Sequence, residues 1–391
     1  MQSTAKIAFV TLRDSYITDT DCYHDKSNAR LVEGLNAIYP GLSFVTYQDA
    51  TRRKSYNHKL VVQRLYVLPF VNTFLNGILK SLAVYRMLKR VEAEHDLLII
   101  QYPFKTPFAP LFLSKPVICH ICSNLLSAST NPAKYSGVVG LAARAYAQLL
   151  HFWNLIMFKR ANVRVVANGS ELAALYRKSR ITAAVSSSVK ASEIIPPGEI
   201  QRRKGPFNIL FVGRPSLEKG FDILLDAVRK IPHEFDFRLV FVGFNREEFL
   251  GLHQDRPVDT SKMQFLGYIP FSERLFDIYR SSHVLVLPSR SEGTPRVLVE
   301  ARAMGCPVVA SNAGGIPDSI ADGTDGMMFP TGDSSALAAI LSELLANEDR
   351  RLELAINGIQ RVRTMTLENF LNIFVRIIDE QLGINERQLH S

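Results

Sequence analysis

The sequence predicts an α/β protein of two domains, each built on a doubly wound, mostly parallel sheet. Three observations predict it. The chain has 391 residues, more than one hydrophobic core usually serves. Short apolar runs alternate with stretches whose apolar residues recur at helical spacing, the pattern of parallel strands joined by crossover helices. Several of these runs empty into polar or glycine-containing loops, and the carboxyl ends of parallel strands are where such sheets hold ligands.

In chain order, residues 6–12 read as the first strand, 11–21 as a loop, 28–39 as a helix with Leu31, Leu35 and Ile38 on one side, and 43–47 as the second strand. The segment 52–90 is unusual. It opens with Arg52, Arg53, Lys54, His58 and Lys59, turns apolar and aromatic from Leu65 to Leu79, and closes on Lys80, Arg86, Lys89 and Arg90. Such a stretch suits the interface of an anionic membrane, and equally suits helices packed on the sheet with solvated cations. Strands follow at 96–102, 116–121 and 161–167, and helices at 138–158 and 171–178. A composition shift with Pro196, Pro197, Gly205 and Pro206 sets the domain boundary near 197–206. The domains are therefore 1–197 and 206–364, with a helical segment 365–391 after them.

The second domain opens on a strand at 208–212 that runs into Gly213 and Arg214, then Lys219, Gly220 and an amphipathic helix. Two cations on a glycine loop at a helix start make an anion site. A Walker A loop is absent. Strands at 237–242 and 263–267 and a helix at 275–280 lead to the most informative stretch, 283–319. Residues 284–287 read as a buried strand, a polar loop runs to Pro295, and a helix carries Val297, Leu298, Ala301 and Met304 until Gly305 stops it. Residues 307–310 make the next strand, which empties into Asn312, Ala313, Gly314 and Gly315. Glu292 sits in the loop and Glu300 in the helix, about 8 to 12 Å apart at a helical rise of about 1.5 Å per residue. Such a pair grips hydroxyls at two places on an extended ligand rather than sharing a metal ion. Helices at 335–346, 351–364 and 367–382 close the chain.

Composition agrees with this outline. A 47% hydrophobic content with 21% charged residues fits a globular chain with a large core. A net charge of +9 suits an anionic ligand or surface. No basic helix, zinc finger or RNA-binding signature supports nucleic acid as a partner. The N-terminal apolar run is too short for a signal peptide, and no stretch is long enough for a spanning helix, so a cytoplasmic protein is expected. Cys22, Cys119, Cys122 and Cys306 read as structural thiols in a reducing compartment, and Asn168-Gly169-Ser170 as a loop. No glycine-rich turn follows the first strand, which counts against a dinucleotide enzyme. Asp19-Thr20-Asp21 has the form of a metal-binding DxD and is read as a loop.

Glu292, seven residues, Glu300, then GCPVVASNAGGIPD, resembles the nucleotide-sugar site of the retaining glycosyltransferases of family 4, also called group 1. VGRPSLEKG resembles the same family's diphosphate loop, and the likeness covers most of the C-terminal half. The resemblance implies the GT-B fold, with two Rossmann-like doubly wound domains facing across a cleft and a final helix crossing back to the first. It implies donor contacts from Gly213, Arg214, Lys219, Tyr268, Glu292, Gly293, Thr294, Glu300, Gly314 and Gly315. Arg214 and Lys219 would take the diphosphate, Glu300 the ribose and Glu292 the transferred sugar, with Glu292, Arg214, Lys219 and His120 as the catalytic set. The implied activity is a metal-independent, retaining hexosyl transfer from a UDP-, GDP- or ADP-sugar to a glycan or lipid-linked acceptor in polysaccharide or glycolipid synthesis. It needs no cofactor and would be peripheral at the inner membrane face. Two details depart from the family pattern: Ile121 follows His120 where an Asp is common, and 11–21 lacks a glycine-rich turn. A non-catalytic scaffold that binds sugar nucleotide or membrane, and a sugar-nucleotide epimerase, remain alternatives.

Overall fold

The computed structural model describes the chain apart from residues 1–4, 20, 50, 52, 70, 72–73, 105, 107–108, 125, 127–136, 178–179, 201–202, 204, 252–258 and 385–391, and apart from the side chains of 74–76, 78 and 138–139. It divides into two compact units, Met1–Ala184 with Glu368–Ser391, and Val185–Leu367.

The first unit holds β1 (Ile7–Ile17), β2 (Cys22–His24), β3 (Ser43–Asp49), β4 (His58–Leu60), β5 (Arg64–Leu68), β6 (Leu97–Tyr102), β7 (Val117–Ile121), β8 (Val163–Asn168) and β9 (Ile181–Ala184). The parallel sheet runs β5-β3-β1-β6-β7-β8-β9, and its order reverses between β1 and β6. β6 is buried at every position, the apolar run that a strand covered on both faces requires.

The region 11–21, expected to be a loop, is strand as far as Ile17. β1 shifts register between Val10 and Asp14, and Tyr16 and Ile17 then pair antiparallel with Tyr23 and Cys22. The alternation broken by that irregularity hid the strand. The segment 52–90 is not one amphipathic stretch either. Residues 58–60 and 64–68 are strands, and the helix starts only at Phe74. Its cations are largely paired: Arg53 with Asp49 at 2.7 Å, Lys59 with Asp21 at 2.5 Å, and Arg64 with Glu94. Arg52 and Phe70 lie outside the described residues. Asp21 is held by Lys59, and Thr20 of the DxD is likewise outside them. All four cysteines are free thiols, Cys119 fully buried in β7.

The second unit holds β10 (Phe207–Val212), β11 (Phe237–Val242), β12 (Met263–Phe265), β13 (Val284–Leu287), β14 (Val308–Ser311) and β15 (Met327–Phe329). All pairs are parallel in the order β12-β11-β10-β13-β14-β15, so the order reverses between β10 and β13. The helix Arg296–Ala303 ends as expected. Gly305 takes φ +67°, its N–H bonds the Arg302 carbonyl at 3.0 Å, and the Cys306 N–H reaches back to Ala301 at 2.9 Å.

The unit boundary falls at 184–185 rather than at 197–206. Residues 185–195 look like a linker by composition, yet they pack in the second unit. Val189 is fully buried there and bonds the Leu367 N–H, and the Ile195 N–H bonds the Ala303 carbonyl. The final helix, Leu367–Leu382, belongs mostly to the first unit. Its Asp379 accepts from the Tyr39 hydroxyl at 2.8 Å, and Leu371 lies where a Cβ on Gly34 would be.

His283 precedes β13, is 4% exposed, accepts the Asn208 N–H at 3.1 Å and lies against the Phe207 ring. Burial, then the nearby Arg203 charge, pushes its pKa down to about 4. The unfolded chain therefore binds a proton below about pH 6.5 that the folded chain refuses until about pH 4, so this histidine's contribution is present above pH 6.5 and is lost as pH falls across that window. We expect His283→Gln to remove a stability loss of about 2 kcal/mol between those pH values, checked by urea melts of both proteins from pH 7 to 4.

Candidate functional site

The loops after β10 and β13 flank the point where the second sheet reverses its strand order. That is the crevice position in which open α/β sheets bind ligands. β13 ends at Leu287, and the chain then crosses toward the β10 loop. The Arg290 N–H bonds the Glu218 carbonyl at 2.8 Å, and the Arg290 guanidinium takes Asp222 with two bonds of 2.8 and 2.7 Å. Gly220, at φ +67°, lies so close that a Cβ there would sit 1.8 Å from the Pro288 carbonyl oxygen. Only glycine permits that approach.

The two loops bring Lys219 and Glu292 together, with Lys219 Nζ 2.5 Å from Glu292 Oε1. The same carboxylate oxygen accepts the Ser289 hydroxyl at 2.7 Å. Ser289 itself is fully buried, and its carbonyl accepts the Ser311 hydroxyl at 2.5 Å. The Glu292 side chain is 10% exposed and Lys219 22%, so the pair borders solvent without being dissolved in it. Arg214 is exposed and has no side-chain partner among the described residues. Gly213 follows β10 and donates its N–H to the Val242 carbonyl, and a Cβ on Gly243 would lie 2.2 Å from the Gly213 carbonyl oxygen. Strand ends and glycine loops thus crowd one edge.

The loop after β14 closes on the other side. Gly314 has φ +60°, and a Cβ there would meet the Glu292 carbonyl oxygen at 2.0 Å. The Gly315 N–H donates to that carbonyl at 3.3 Å. Both glycines therefore serve the approach to the Glu292 backbone. Thr294 is buried, and its hydroxyl accepts the Ser186 N–H at 3.0 Å. Gly293 and Tyr268 are partly accessible, Tyr268 at 38%.

Glu300 lies inside the helix Arg296–Ala303 and is 5% exposed. Its two oxygens accept the Ser188 hydroxyl at 3.1 Å and the Tyr279 hydroxyl at 2.9 Å. Burial first, then the adjacent Glu300 charge, raises the Tyr279 phenol well above its usual pKa, so it stays a donor. His120 lies in the first unit, one residue before the end of β7. It is 3% exposed, with Nε2 3.0 Å from Asn168 Oδ1 and its ring against Phe370 and Phe374 of the final helix. The second unit thus brings Lys219 to Glu292 and sets Arg214 on the same loop as Lys219, and His120 lies in the first unit.

Reading the sequence missed Ser289, Ser188 and Tyr279, the groups that hold the two carboxylates. Ser289 had a signal three residues before Glu292. Ser188 had none, because its role depends on where residues 185–189 pack.

Two parallel-sheet domains of this order define the GT-B class. Solved structures share the fold across nearly the whole chain: sucrose-phosphate synthase of Thermosynechococcus elongatus (TM-score 0.75, 19% identity, 97% of this chain and 100% of that one) and Anabaena HepE in complex with UDP-glucose (0.68, 17%, 96% and 100%). Residues 206–347 match the model of the family described as glycosyl transferases group 1. An uncharacterized glycosyltransferase of Methanocaldococcus jannaschii is 33% identical over 188 residues, 47% of this chain and 51% of that protein, so the chain spans about half the length of this curated relative.

Gly314 gives the site a direct test. Gly314→Ala adds a Cβ where the Glu292 carbonyl already lies and forces a left-handed backbone on alanine. We expect a loss of about 1 to 3 kcal/mol, read as a lowered melting temperature. Gly332→Ala, also at positive φ but with open space around its Cβ position, should cost less.

Proposed function

We propose that the protein transfers a hexose from a nucleoside-diphosphate sugar to a hydroxyl acceptor, with retention and without a metal ion. The observation that carries this reading is the meeting of Lys219 and Glu292 at the reversal point of a sheet whose sequence matches the group 1 glycosyltransferase model. The HepE structure with UDP-glucose, on the same fold, supports a sugar nucleotide as the donor.

In this reading the diphosphate enters beside Arg214 and Lys219. Lys219 is held in place by Glu292, whose carboxylate Ser289 holds in turn, and Arg214 stands on the same loop, so both cations are available to the anion. As the bond from the anomeric carbon to the phosphate oxygen breaks, charge grows on the leaving phosphate. Fixed cations stabilise that state more than the ground state. The sugar carbon becomes oxocarbenium-like, as in other glycosyl chemistry. Glu292 accepts hydrogen bonds from sugar hydroxyls as Lys219 turns to the phosphate. Glu300 keeps lone pairs beside Ser188 and Tyr279 for the ribose hydroxyls. The acceptor hydroxyl attacks the anomeric carbon on the face that the phosphate leaves, and its proton passes to the departing phosphate oxygen. The acceptor is a glycan or a lipid-linked sugar.

Incubating the protein with UDP-, GDP- and ADP-sugars in EDTA, and following thermal shift and donor hydrolysis, tests the reading. One donor should raise the melting temperature and be hydrolysed slowly. Lys219→Met and Glu292→Gln should each lower turnover by about 10² to 10³, and Arg214→Ala should weaken donor binding. Hydrolysis that vanishes in EDTA would refute metal independence. No shift with any donor would favour a scaffold, and an isomerised donor without transfer would favour an epimerase.

A further inference from the structure

Three cations stand on the loops that flank the reversal point of the second sheet, Arg214, Lys219 and Arg290, and their bonding differs. Arg214 has no side-chain partner among the described residues, and Lys219 meets Glu292. Arg290 is bound by the protein itself. Its Nη1 donates to the Leu217 carbonyl at 2.5 Å and to Asp222 Oδ1 at 2.8 Å, and its Nη2 donates to Asp222 Oδ2 at 2.7 Å. A guanidinium whose fork is closed on a carboxylate has its charge matched already. It is therefore poorly placed to serve a diphosphate as a third phosphate ligand.

The same contacts bracket Lys219. Leu217 and Glu218 precede it in the short turn Leu217–Lys219, and Arg290 holds the carbonyls of both, that of Glu218 through its main-chain N–H at 2.8 Å. Asp222 follows Lys219 by three residues, in the first turn of helix Phe221–Val228. Gly220, between them, lies against the Pro288 carbonyl, two residues before Arg290. The main chain is thus tied to the Glu292 loop on both flanks of Lys219. The Lys219 amine rides on a flexible four-carbon stem, and in the reading above it leaves Glu292 for the departing phosphate. Where that amine can reach is set by the main chain beneath it.

Stability does not account for this arrangement. The side chains of Arg290 and Asp222 are 41% and 33% exposed, and water screens an ion pair at such exposure to little net worth. Geometry does account for it. A cation stabilises a leaving phosphate only when it stands where the charge develops, and a displacement of about 1 Å can cost about 10²-fold in rate.

We propose that Arg290 is a positioning residue for Lys219. With Asp222 it fastens the loop after β10 to the Glu292 loop, so that the Lys219 amine passes from Glu292 to the diphosphate while its main chain stays in place. Arg290 touches neither donor nor acceptor in this role. The inference rests on the sugar-transfer reading and deepens it by assigning the third cation.

Turnover is measured for Arg290→Gln, Arg290→Lys and Asp222→Ala, each with Lys219 intact and with Lys219→Met, using the donor that the wild type hydrolyses. Affinity for UDP, GDP and ADP is measured by calorimetry. With Lys219 intact, we expect Arg290→Gln and Asp222→Ala to lower kcat by about tenfold or more, with a smaller change in KM. Arg290→Lys should fare no better than Arg290→Gln, because a lysine cannot close the fork. In the Lys219→Met protein the same substitutions should cost no more than about twofold further, because the residue they position is gone. Melting temperatures should stay near those of the parent proteins. Equal losses in both backgrounds would show a merely structural role and overturn the proposal. So would full activity of Arg290→Gln or Arg290→Lys, or tighter nucleoside-diphosphate binding by Asp222→Ala, the mark of an Arg290 freed to take phosphate. A wild type that hydrolyses no donor would sink the sugar-transfer reading and this proposal with it, whereas the other adverse outcomes leave that reading intact.

Discussion

The loop that carries Glu292 is held between two glycine contacts, and the arrangement of the second unit depends on them. On one side Gly220 lies against the Pro288 carbonyl, and on the other Gly314 lies against the Glu292 carbonyl. Neither position has room for a Cβ. The carboxylate at the centre of the loop is thereby fixed by backbone, which moves less than side chains do, before Lys219 or Ser289 adds a hydrogen bond. A charged pair at a solvent border gains from such preorganisation, because little conformational entropy is lost in forming it.

Below the loop, the helix that carries Glu300 is anchored by an ion pair. Arg302 is fully buried, donates to Asp325 at 2.9 Å and to the Ser319 carbonyl at 2.7 Å, and packs its methylenes against Gly358. Burial lowers its pKa to about 10, with Asp325 opposing the shift, so it remains charged at neutral pH. Desolvation makes a buried pair an uncertain source of net stability, but losing one partner strands the other, at a cost of about 3 to 5 kcal/mol. The pair therefore fixes the helix's position more surely than it adds to stability. Tyr279 and Ser188 complete the support by each donating to one oxygen of the Glu300 carboxylate.

The two units solve opposite problems with similar sheets. The second builds a polar crevice from strand ends and loops. The first covers its sheet with helices whose outer surfaces remain apolar, at Leu141, Phe152 and Leu82 among others. In the first unit several buried polar groups are absorbed by the fold: Ser15 bonds His24 and Thr46, and His120 bonds Asn168. For His120 this gives a sufficient structural reason for a histidine at that position.

Much of the second unit, and the final helix after it, was legible in the sequence because the signals are local. The strand at 284–287 coincides with its apolar run, Gly305 ends its helix through backbone conformation alone, and the final helix keeps the bounds 367–382 that its periodicity predicts. Parallel strands buried on both faces and helices with one apolar side announce themselves in composition. The Glu292 and Glu300 spacing and the Arg214 and Lys219 loop were likewise visible, because each lies within one strand-loop-helix unit. Tertiary structure decided what depends on distant residues meeting. The continuation of β1 to Ile17 needs β2 and β3 as partners. The short strands β9 and β15 need neighbouring edges already in place, and residues 185–195 join the second unit only because Val189, Ser188 and Ile195 find their partners there. The pairing of Lys219 with Glu292 across 73 residues is of the same kind, since spacing along a chain shows which groups share a loop, while the order of strands in a sheet determines which loops touch.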